Sequence, residues 1–275
     1  MSGYRHRSKK RMLIAILLVA LIVCAAAGIL VRKVLVVKNI VVEGVDDELA
    51  ADARTLSGIH LGQSVFDIDE HDIAINLRAN GYIKLCSVDV QKPDTVVLKL
   101  EKRNAVAAFE HLGFTYIVDS ELYVLECVSG LSNSGYTLIT GVDIQRTPVG
   151  MALNIDTSRG EMIKTLLSTI EKLNLCDTIS EINAANSQSI VCETSDGVEF
   201  KLGDISSIET KLSWIEPMLK QLKKEGRLSG TVDVSSPTSA DYLPPEATAT
   251  PTARPGQAAA TFVPYSATPQ PTAGA

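Results

Sequence analysis

The sequence predicts an α+β fold, with one N-terminal transmembrane helix before the folded part and a disordered tail after it. Three observations predict this arrangement. Residues 12–31 carry no charge, residues 34–242 alternate strand-like runs with amphipathic helical patterns, and residues 243–275 contain seven of the eleven prolines. At roughly 100–200 residues per domain, 275 residues allow one or two ordinary domains with a substantial core.

The charges separate the N-terminal tip from the rest of the chain. There are 26 Lys+Arg and 32 Asp+Glu residues, for a net charge of −6, and residues 1–11 hold five of the basic residues and no acidic one. The remainder therefore has 21 basic and 32 acidic residues, a net charge of −11. Binding of nucleic acid by phosphate neutralisation needs a basic face, so this composition excludes a module of that kind.

Residues 12–31 are predicted to span a membrane. As a helix they would rise about 1.5 Å per residue, which is enough to cross a hydrocarbon core of about 30 Å. Five basic residues precede the segment, whereas Arg32, Lys33 and Lys38 follow it, and this bias favours a cytoplasmic N-terminus. We therefore predict a single-pass type II protein of the cell membrane, with residues 1–11 as its cytoplasmic tip.

A cleaved signal peptide is the competing interpretation of the same segment. Ala25-Ala26-Ala27 offers an A-x-A cleavage site, but the apolar stretch resumes at residues 29–31, which favours the anchor. A lipoprotein signal at Cys24 is weaker, because Val23 stands where such signals need a small residue.

Residues 34–102 predict a compact β-α-α-β-β unit. A β-branched run over 34–43 is followed by two helical patterns, the second starting at Asp69 and ending at Asn80-Gly81, and then by two strands around a turn at 92–94. The predicted buried positions of the helices are Leu49, Ala53, Leu56, Ile73, Ala74 and Leu77. In the penultimate strand, alternation predicts that Cys86, Val88 and Val90 face inward.

Residues 103–242 predict a second, mainly β region with flanking helices. A hairpin turn is expected at 119–121, and the capping box Ser158-x-x-Glu161 predicts the start of a helix. Strands are expected near 179–183, 189–193, 198–202 and 230–235, with a tight turn at Asp196-Gly197. Between the last two strands, a long amphipathic helix is predicted from Ile208 to Gly226, kinked at Pro217, with Trp214 in the core.

Neither the cysteines nor the C-terminal tail indicates a specialised structure. Four cysteines follow the predicted span: Cys86, Cys127, Cys176 and Cys192. They form no C-x-x-C motif, and we expect them to be buried free thiols rather than disulfides. Cys86 and Cys192 stand in strand-like runs, where a small apolar residue would serve. Residues 243–275 are rich in Pro, Ala and Thr and are predicted to be disordered, because they cannot bury enough apolar surface.

No constellation of residues predicts catalysis, a cofactor or a metal site. The acidic residues around His71 run directly into a helical pattern, where they stabilise the helix N-terminus rather than form a calcium loop: Asp67, Asp69, Glu70 and Asp72. The four histidines are not spaced as zinc ligands, and there is no G-x-S-x-G, H-E-x-x-H or phosphate-binding Gly loop. We therefore predict a protein that is not an enzyme.

The positive indication from the residues concerns binding. The run at 230–235 closes the folded region just before the tail, and a strand in that position is often an edge strand with unpaired N–H and C=O groups. Such an edge can accept a strand from a partner protein. The alternative is that this run is an interior strand of the sheet.

The order of these parts resembles the FtsQ/DivIB family of bacterial cell-division proteins, over residues 1–242. The resemblance is carried by short motifs that follow the predicted span in the expected order: Val37-x-x-Ile40-x-Val42-x-Gly44, Leu56-Ser57-Gly58-Ile59, Leu138-Ile139-Thr140-Gly141 and Thr231-Val232-Asp233-Val234. Two positions depart from the family pattern, Asn104 in place of a proline and Glu121-Leu122 in the hairpin turn, and both concern turns rather than the domain plan.

The resemblance implies a POTRA domain at 34–102, a partner-binding β domain at 103–242 and a non-enzymatic scaffold of the division septum. Its implied partners are FtsL-like and DivIC/FtsB-like single-pass division proteins and, through them, the septal peptidoglycan synthase. Family precedent places the partner on the last strands and the segment after them, here Thr231, Val232, Asp233, Val234, Ser235 and Tyr242. Proline at Val232 or Val234 is then expected to abolish partner capture without unfolding the protein.

Two alternatives belong to other classes of protein. One is an export or assembly factor, a class that also uses POTRA units. The other is a membrane-anchored cell-wall hydrolase, which would need paired carboxylates in a cleft.

Overall fold

Two β-sheets with separate hydrophobic cores organise the chain in the computed structural model, which describes residues 16–25, 28, 32, 34–91, 93–130 and 135–245. The strands are β1 Asn39–Glu43, β2 Ile83–Gln91, β3 Thr95–Lys102, β4 Ala107–His111, β5 Phe114–Val118, β6 Val124–Ser129, β7 Thr137–Thr140, β8 Ile144–Gln145, β9 Asn154–Ile155, β10 Ile179–Asn183, β11 Ile190–Thr194, β12 Glu199–Gly203, β13 Thr231–Asp233 and β14 Asp241–Leu243. The helices are α1 Asp47–Leu56, α2 Glu70–Leu77, α3 Thr157–Lys172, α4 Ile208–Ser213 and α5 Ile215–Glu225, with a 3-10 turn at Val65–Asp67.

The first sheet has the order β1-β3-β2, with β3 parallel to β1 and antiparallel to β2. Helices α1 and α2 contribute to the same core as the central strand, whose buried members include Ala53, Ile73, Leu77, Val96, Leu98 and Leu100. The predicted β-α-α-β-β order is confirmed. Asp69 caps α2, since its carboxylate accepts the N–H of His71 at 2.8 Å, and the acidic residues around it lie in a helix start, as predicted.

The prediction that the side chain of Cys86 in β2 faces inward is wrong. The pairing with β3 shifts between Leu85 and Ser87, so Cys86 is the extra residue of a β-bulge and its side chain is exposed. A bulge reverses the in-and-out alternation on one side of it. Val88 does pack against the core, while Val90 is exposed.

The second sheet has nine strands in the order β14-β13-β12-β11-β10-β7-β4-β5-β6. Helices α3, α4 and α5 share its core, whose fully buried side chains include Phe109, Val118, Leu166, Ile170, Ile182, Cys192, Phe200, Leu212 and Val232. Strands β8 and β9 form a separate pair. The α+β class is confirmed, with the larger sheet carrying most of the core.

Two details of the helices differ from the sequence-based expectation. Helix α3 is capped by Asp156, whose carboxylate accepts the N–H groups of Ser158 and Arg159, so Ser158 is inside the helix and not its cap. The predicted long helix is two helices, separated at Trp214 and not kinked at Pro217. Pro217 lies in the first turn of α5, where N–H groups lack partners within the helix, so its missing N–H removes no helical hydrogen bond.

The other expected features of this region are found. Gly226 ends α5 in the left-handed conformation, and Trp214 packs partly buried against the core. One buried residue of α4 was not expected from the sequence pattern. Lys211 is buried and donates to the Asp204 carboxylate at 2.7 Å. This hydrogen bond, with that from Ser206, lowers the pKa of Asp204 to about 2.

All five cysteines are described and all are free. Cys192 is buried, as predicted, and burial raises the pKa of its thiol to about 12. Cys86 and Cys127 are exposed and Cys176 is half-buried, so the expectation of buried thiols fails for these three.

The predicted cytoplasmic tip, most of the predicted span and nearly all of the predicted tail lie outside the described residues. Residues 16–25 are helical and expose apolar side chains. Within the described part of the chain, no helix reaches the length and apolarity that crossing a membrane requires. The first residue of the predicted tail, Leu243, belongs to β14.

A buried cation joins the two sheets. Arg103, the first residue after β3, donates from Nη1 to the carboxylates of Asp119 and Glu121, the second at 2.8 Å. Its guanidinium also lies over the ring of Tyr123, 4.0 Å from the centroid, and its N–H donates to the carbonyl of Tyr82 at 2.9 Å. The main-chain bond extends the β2–β3 pairing, whereas the ion pairs and the ring contact link the two sheets.

Asp119 orders the turn that receives this cation. Its Oδ1 accepts the N–H groups of Glu121 and Tyr123 at 3.0 and 2.7 Å, leaving Oδ2 for Arg103. Lys84 of β2 reaches the same turn, donating to Glu121 Oε1 at 2.9 Å. The hydrogen bonds from Lys84 and Arg103 lower the pKa of Glu121.

Two glycines let main chain from the two sheets meet. A Cβ on Gly81 would lie 2.4 Å from the carbonyl oxygen of Leu125, and one on Gly150 would lie 2.0 Å from that of Arg78. The prediction that Gly81 ends α2 in a left-handed conformation is wrong, because α2 ends at Leu77 and Gly81 does not have a positive φ. Gly81 serves close approach instead.

Replacing Arg103 tests this junction. Arg103→Ala should lower the free energy of unfolding by about 3–5 kcal/mol, because Asp119 would stay buried without its cation. Arg103→Lys should lose less, since a lysine keeps the charge but lacks the planar fork. Thermal unfolding of the full-length chain in detergent measures both, with the exposed Arg227→Ala as control. Equal melting temperatures for Arg103→Ala and Arg227→Ala would contradict the prediction.

Candidate partner-binding edge

Strand β13 is an interior strand of the nine-stranded sheet. It pairs in parallel with β12, Val232 opposite Phe200, and antiparallel with β14, Val232 opposite Tyr242. The edge interpretation of residues 230–235 is therefore wrong, and the interior alternative is the one observed. In the described part of the chain, β14 is the terminal strand on this side of the sheet.

The hydrogen-bond pattern shows which main-chain groups of β14 face outward. Glu199 donates to the carbonyl of Gly230 and Val234 donates to that of Lys201, so even-numbered residues of β13 bond to β12. Odd-numbered residues of β13 then bond to β14, where they pair with residues 241 and 243. The N–H and C=O of Tyr242 consequently point toward the open edge.

The six residues predicted to bind a partner do not share one surface. Val232 and Val234 are fully buried in the core, and Tyr242 packs against its rim. Thr231 and Asp233 are half-buried in the strand, and Ser235 is exposed beyond it. Proline at Val232 or Val234 would disrupt packed interior positions, so the earlier expectation that these variants stay folded is withdrawn.

Local hydrogen bonds hold the end of the sheet together. Asp233 accepts from the hydroxyl and the N–H of Ser235 at 2.6 and 2.9 Å, and these bonds lower the pKa of Asp233. The Tyr242 hydroxyl donates to the carbonyl of Ser229 at 2.6 Å. Gly230 has a φ of +120°, and a Cβ there would lie 2.7 Å from the carbonyl oxygen of Leu243, so the close return of β14 requires glycine.

The outer face beside this edge carries three glutamates in register. Glu181 lies opposite Glu193, and Glu193 lies opposite Glu199, on three adjacent strands. They border a hollow of about 390 Å³ that Asn183 and Ser189 also line. Within the described residues, Glu181 accepts from the hydroxyl of Thr140, and none of the three forms a salt bridge. Like charges opposed across strands are unfavourable, so this face is locally strained by charge.

The described ranges contain no cluster of metal ligands. No group of three or more His, Cys, Asp or Glu residues there could hold a metal ion. Sequence reasoning missed strands β4, β7, β8 and β9 and, at the candidate site, β14. Its short Asp-Tyr-Leu alternation before Pro244-Pro245 was the available signal, but the composition of the following tail obscured it.

The chain is similar to known proteins in its POTRA domain and over most of its length. Residues 35–103 match the family model for the POTRA domain, FtsQ-type. Over 235 residues the chain is 24% identical to the cell division protein DivIB of Clostridium botulinum (strain Loch Maree / Type A3), covering 84% of this chain and 89% of that protein. It is 25% identical over 183 residues to the cell division protein FtsQ of Syntrophotalea carbinolica, covering 66% of this chain and 64% of that protein.

A solved structure is also matched, at 13% identity and a TM-score of 0.31. It is the major extracytoplasmic domain of the trans isomer of the cell division protein DivIB from Geobacillus stearothermophilus, and the match covers 45% of this chain and 97% of that one.

The fold and the sequence matches define a protein with an FtsQ-type POTRA domain followed by a large mixed sheet. The chain is similar over most of its length to proteins named DivIB and FtsQ, and this similarity supports a role in cell division.

Removing the central charge of the glutamate row should stabilise the sheet. Glu193→Gln is expected to raise the free energy of unfolding by about 0.2–1 kcal/mol, because it relieves repulsion from both sides. The gain should shrink in about 1 M salt, where the Debye length is about 3 Å. Thermal unfolding measures it, with Glu110→Gln as the matched control, since Thr115 and not an acid lies opposite Glu110. Equal shifts for the two variants would contradict the repulsion.

Proposed function

We propose that the protein is a non-enzymatic scaffold of the division machinery. It is held in the cell membrane by residues 12–31, with its N-terminus in the cytoplasm, and acts outside the cell at the division septum. There it binds FtsL-like and DivIC/FtsB-like single-pass proteins and through them helps recruit or regulate the septal peptidoglycan synthase. Similarity to DivIB and FtsQ proteins supports the role in cell division, and the open edge at β14 is the observation that supports the binding role.

The proposed domains are residues 34–102 as the POTRA domain and 103–242 as the partner-binding β domain. The family match over 35–103 and the two separate cores support this division. The uncharged sequence of 12–31 and the exposed apolar side chains of helical residues 16–25 support the anchor. The edge observed at β14 shifts the proposed site from β13 to Asp241, Tyr242 and Leu243, with β13 as its support.

The proposed mode of binding is addition of a partner strand beside β14. Tyr242 offers one N–H and one C=O toward that position, and main-chain bonds would supply the affinity. Side chains would supply the specificity, since each partner residue would extend an existing cross-strand row. One row ends at Asp241, which lies opposite Asp233, and favours a basic partner residue; the other ends at the half-exposed Leu243 and favours an apolar one.

Two substitutions at one position test the main-chain contact. Tyr242→Ala removes the side chain and keeps the outward N–H, whereas Tyr242→Pro removes both, while the inward bonds of 241 and 243 to β13 remain. We expect Tyr242→Pro to capture about tenfold less partner than Tyr242→Ala does. The lost N–H bond and the hindered approach of the partner strand together cost about 1.4 kcal/mol.

The full-length tagged chain serves as bait in detergent-solubilised membranes, and the captured FtsL-like and DivIC-like proteins are quantified by immunoblot. Thermal unfolding of both variants confirms that they are equally folded. Equal capture by Tyr242→Pro and Tyr242→Ala would refute strand addition at β14. Absence of these partners from the wild-type capture would refute the scaffold role itself.

A further inference from the structure

Three apolar side chains are exposed at the start of the POTRA domain. Val34 is 68% exposed, Leu61 69% and Phe66 46%. We call these three residues the apolar tip. Large apolar side chains that are exposed in neighbouring segments can form an interaction surface.

Main-chain hydrogen bonds join the loop that carries Leu61 and Phe66 to the segment that begins at Val34. Val36 and Ser64 form an antiparallel bridge, so residues 34–37 run beside residues 62–66. The N–H of Val65 donates to the carbonyl of Leu35 at 3.1 Å, and that of Gly62 donates to the carbonyl of Val37 at 2.8 Å. The loop that presents Leu61 and Phe66 is therefore fixed to the segment that begins at Val34.

Chain length fixes how far this end can lie from the proposed membrane span. Val34 is three residues beyond residue 31, and three residues extend at most about 11 Å. The headgroup layer of each leaflet is about 5–8 Å thick, from a total of 40–45 Å less a core of about 30 Å. Val34 must then lie in the headgroup layer or within a few ångströms of it, which leaves no room for a folded partner in between.

Two cations lie near the tip, in addition to the acidic residues that follow Phe66 in the sequence. Arg32 pairs with Asp67 at 3.8 Å and Lys38 with Asp94 at 3.1 Å, and both cationic side chains remain about two-thirds exposed. Apolar side chains flanked by exposed Lys and Arg are typical of segments at a membrane interface, where anionic headgroups attract the cations.

We propose that the apolar tip inserts into the lipid headgroup region beside the span and fixes the orientation of the POTRA domain on the membrane. Leu61 and Phe66 reach the apolar side of the interface, while Arg32 and Lys38 meet the headgroups. The proposal rests on the membrane anchoring given under Proposed function. Because the tip is bonded to residues 34–37, it acts as a second contact next to the anchor.

Lipid quenching of a tryptophan in the tip tests the proposal. The full-length chain carrying Leu61→Trp is reconstituted into vesicles of phosphatidylcholine and phosphatidylglycerol, with or without phosphatidylcholine brominated on its upper acyl carbons. The wild-type chain, with Trp214 alone, supplies the background emission. We expect brominated lipid to lower the added emission about twofold, as for side chains buried about 5–10 Å into the headgroup boundary.

Two further variants make the result specific. Phe66→Trp replaces one aromatic with another and should be quenched as Leu61→Trp is, so it gives a result even where Leu61→Trp folds poorly. Leu228→Trp, beside β13 of the other sheet, should keep its emission. Quenching at the tip alone supports the proposal, whereas no quenching at either tip position, or equal quenching at Leu228, overturns it.

Flotation of the vesicles separates this proposal from the one on which it rests. A chain that floats with the vesicles after an alkaline wash but shows no quenching overturns the tip contact and leaves the anchor standing. A chain that does not float overturns both. Neither result bears on partner capture at β14, which is measured separately.

Discussion

The contact of Arg103 with Asp119 is the interaction on which the relation between the two sheets depends. Asp119 uses one carboxylate oxygen to order its own turn and the other to hold the cation, so the turn and the junction form together. Removing Arg103 would leave the buried charge of Asp119 without its cation, which costs far more than losing an exposed pair. Gly81 and Gly150 then bring main chain from both sides into direct contact. The POTRA domain is thereby held against one end of the nine-stranded sheet.

The two edge strands of the large sheet differ in how far they are covered by other parts of the chain. At β6, Val124 bonds with Gly150 and Met151, and Gly81 packs against Leu125, so much of that strand is covered. At β14, no described strand lies beyond Tyr242. Exposed edges are aggregation hazards that proteins usually cover or shorten. The short edge strand Asp241–Leu243, with a charged residue at its start, limits nonspecific pairing.

Local patterns predicted most elements, and the exceptions have identifiable causes. Helical spacing and alternation placed both POTRA helices and strands β10 to β12, because these depend on residues near in sequence. The bulge at Cys86 and the close approach at Gly81 depend on partners 14 and 44 residues away, which periodicity does not report. Strand β14 was missed because it forms by pairing with β13, which the local sequence does not report. Because β14 covers β13, the candidate site moves from residues 230–235 to β14. Lys211 interrupts an apolar face and is buried only because Asp204 accepts from it.

The position of β13 and β14 in the chain determines when the edge of the sheet is synthesised. These are the last strands of the sheet in sequence, so they are synthesised after every other element of the core. A chain cut short before residue 231 lacks both strands and the buried side chains of Val232 and Val234, so β12 has no neighbour on that side. The partner recognition proposed at β14 would therefore select for complete molecules, since the strand that would be bound is the one that is synthesised last.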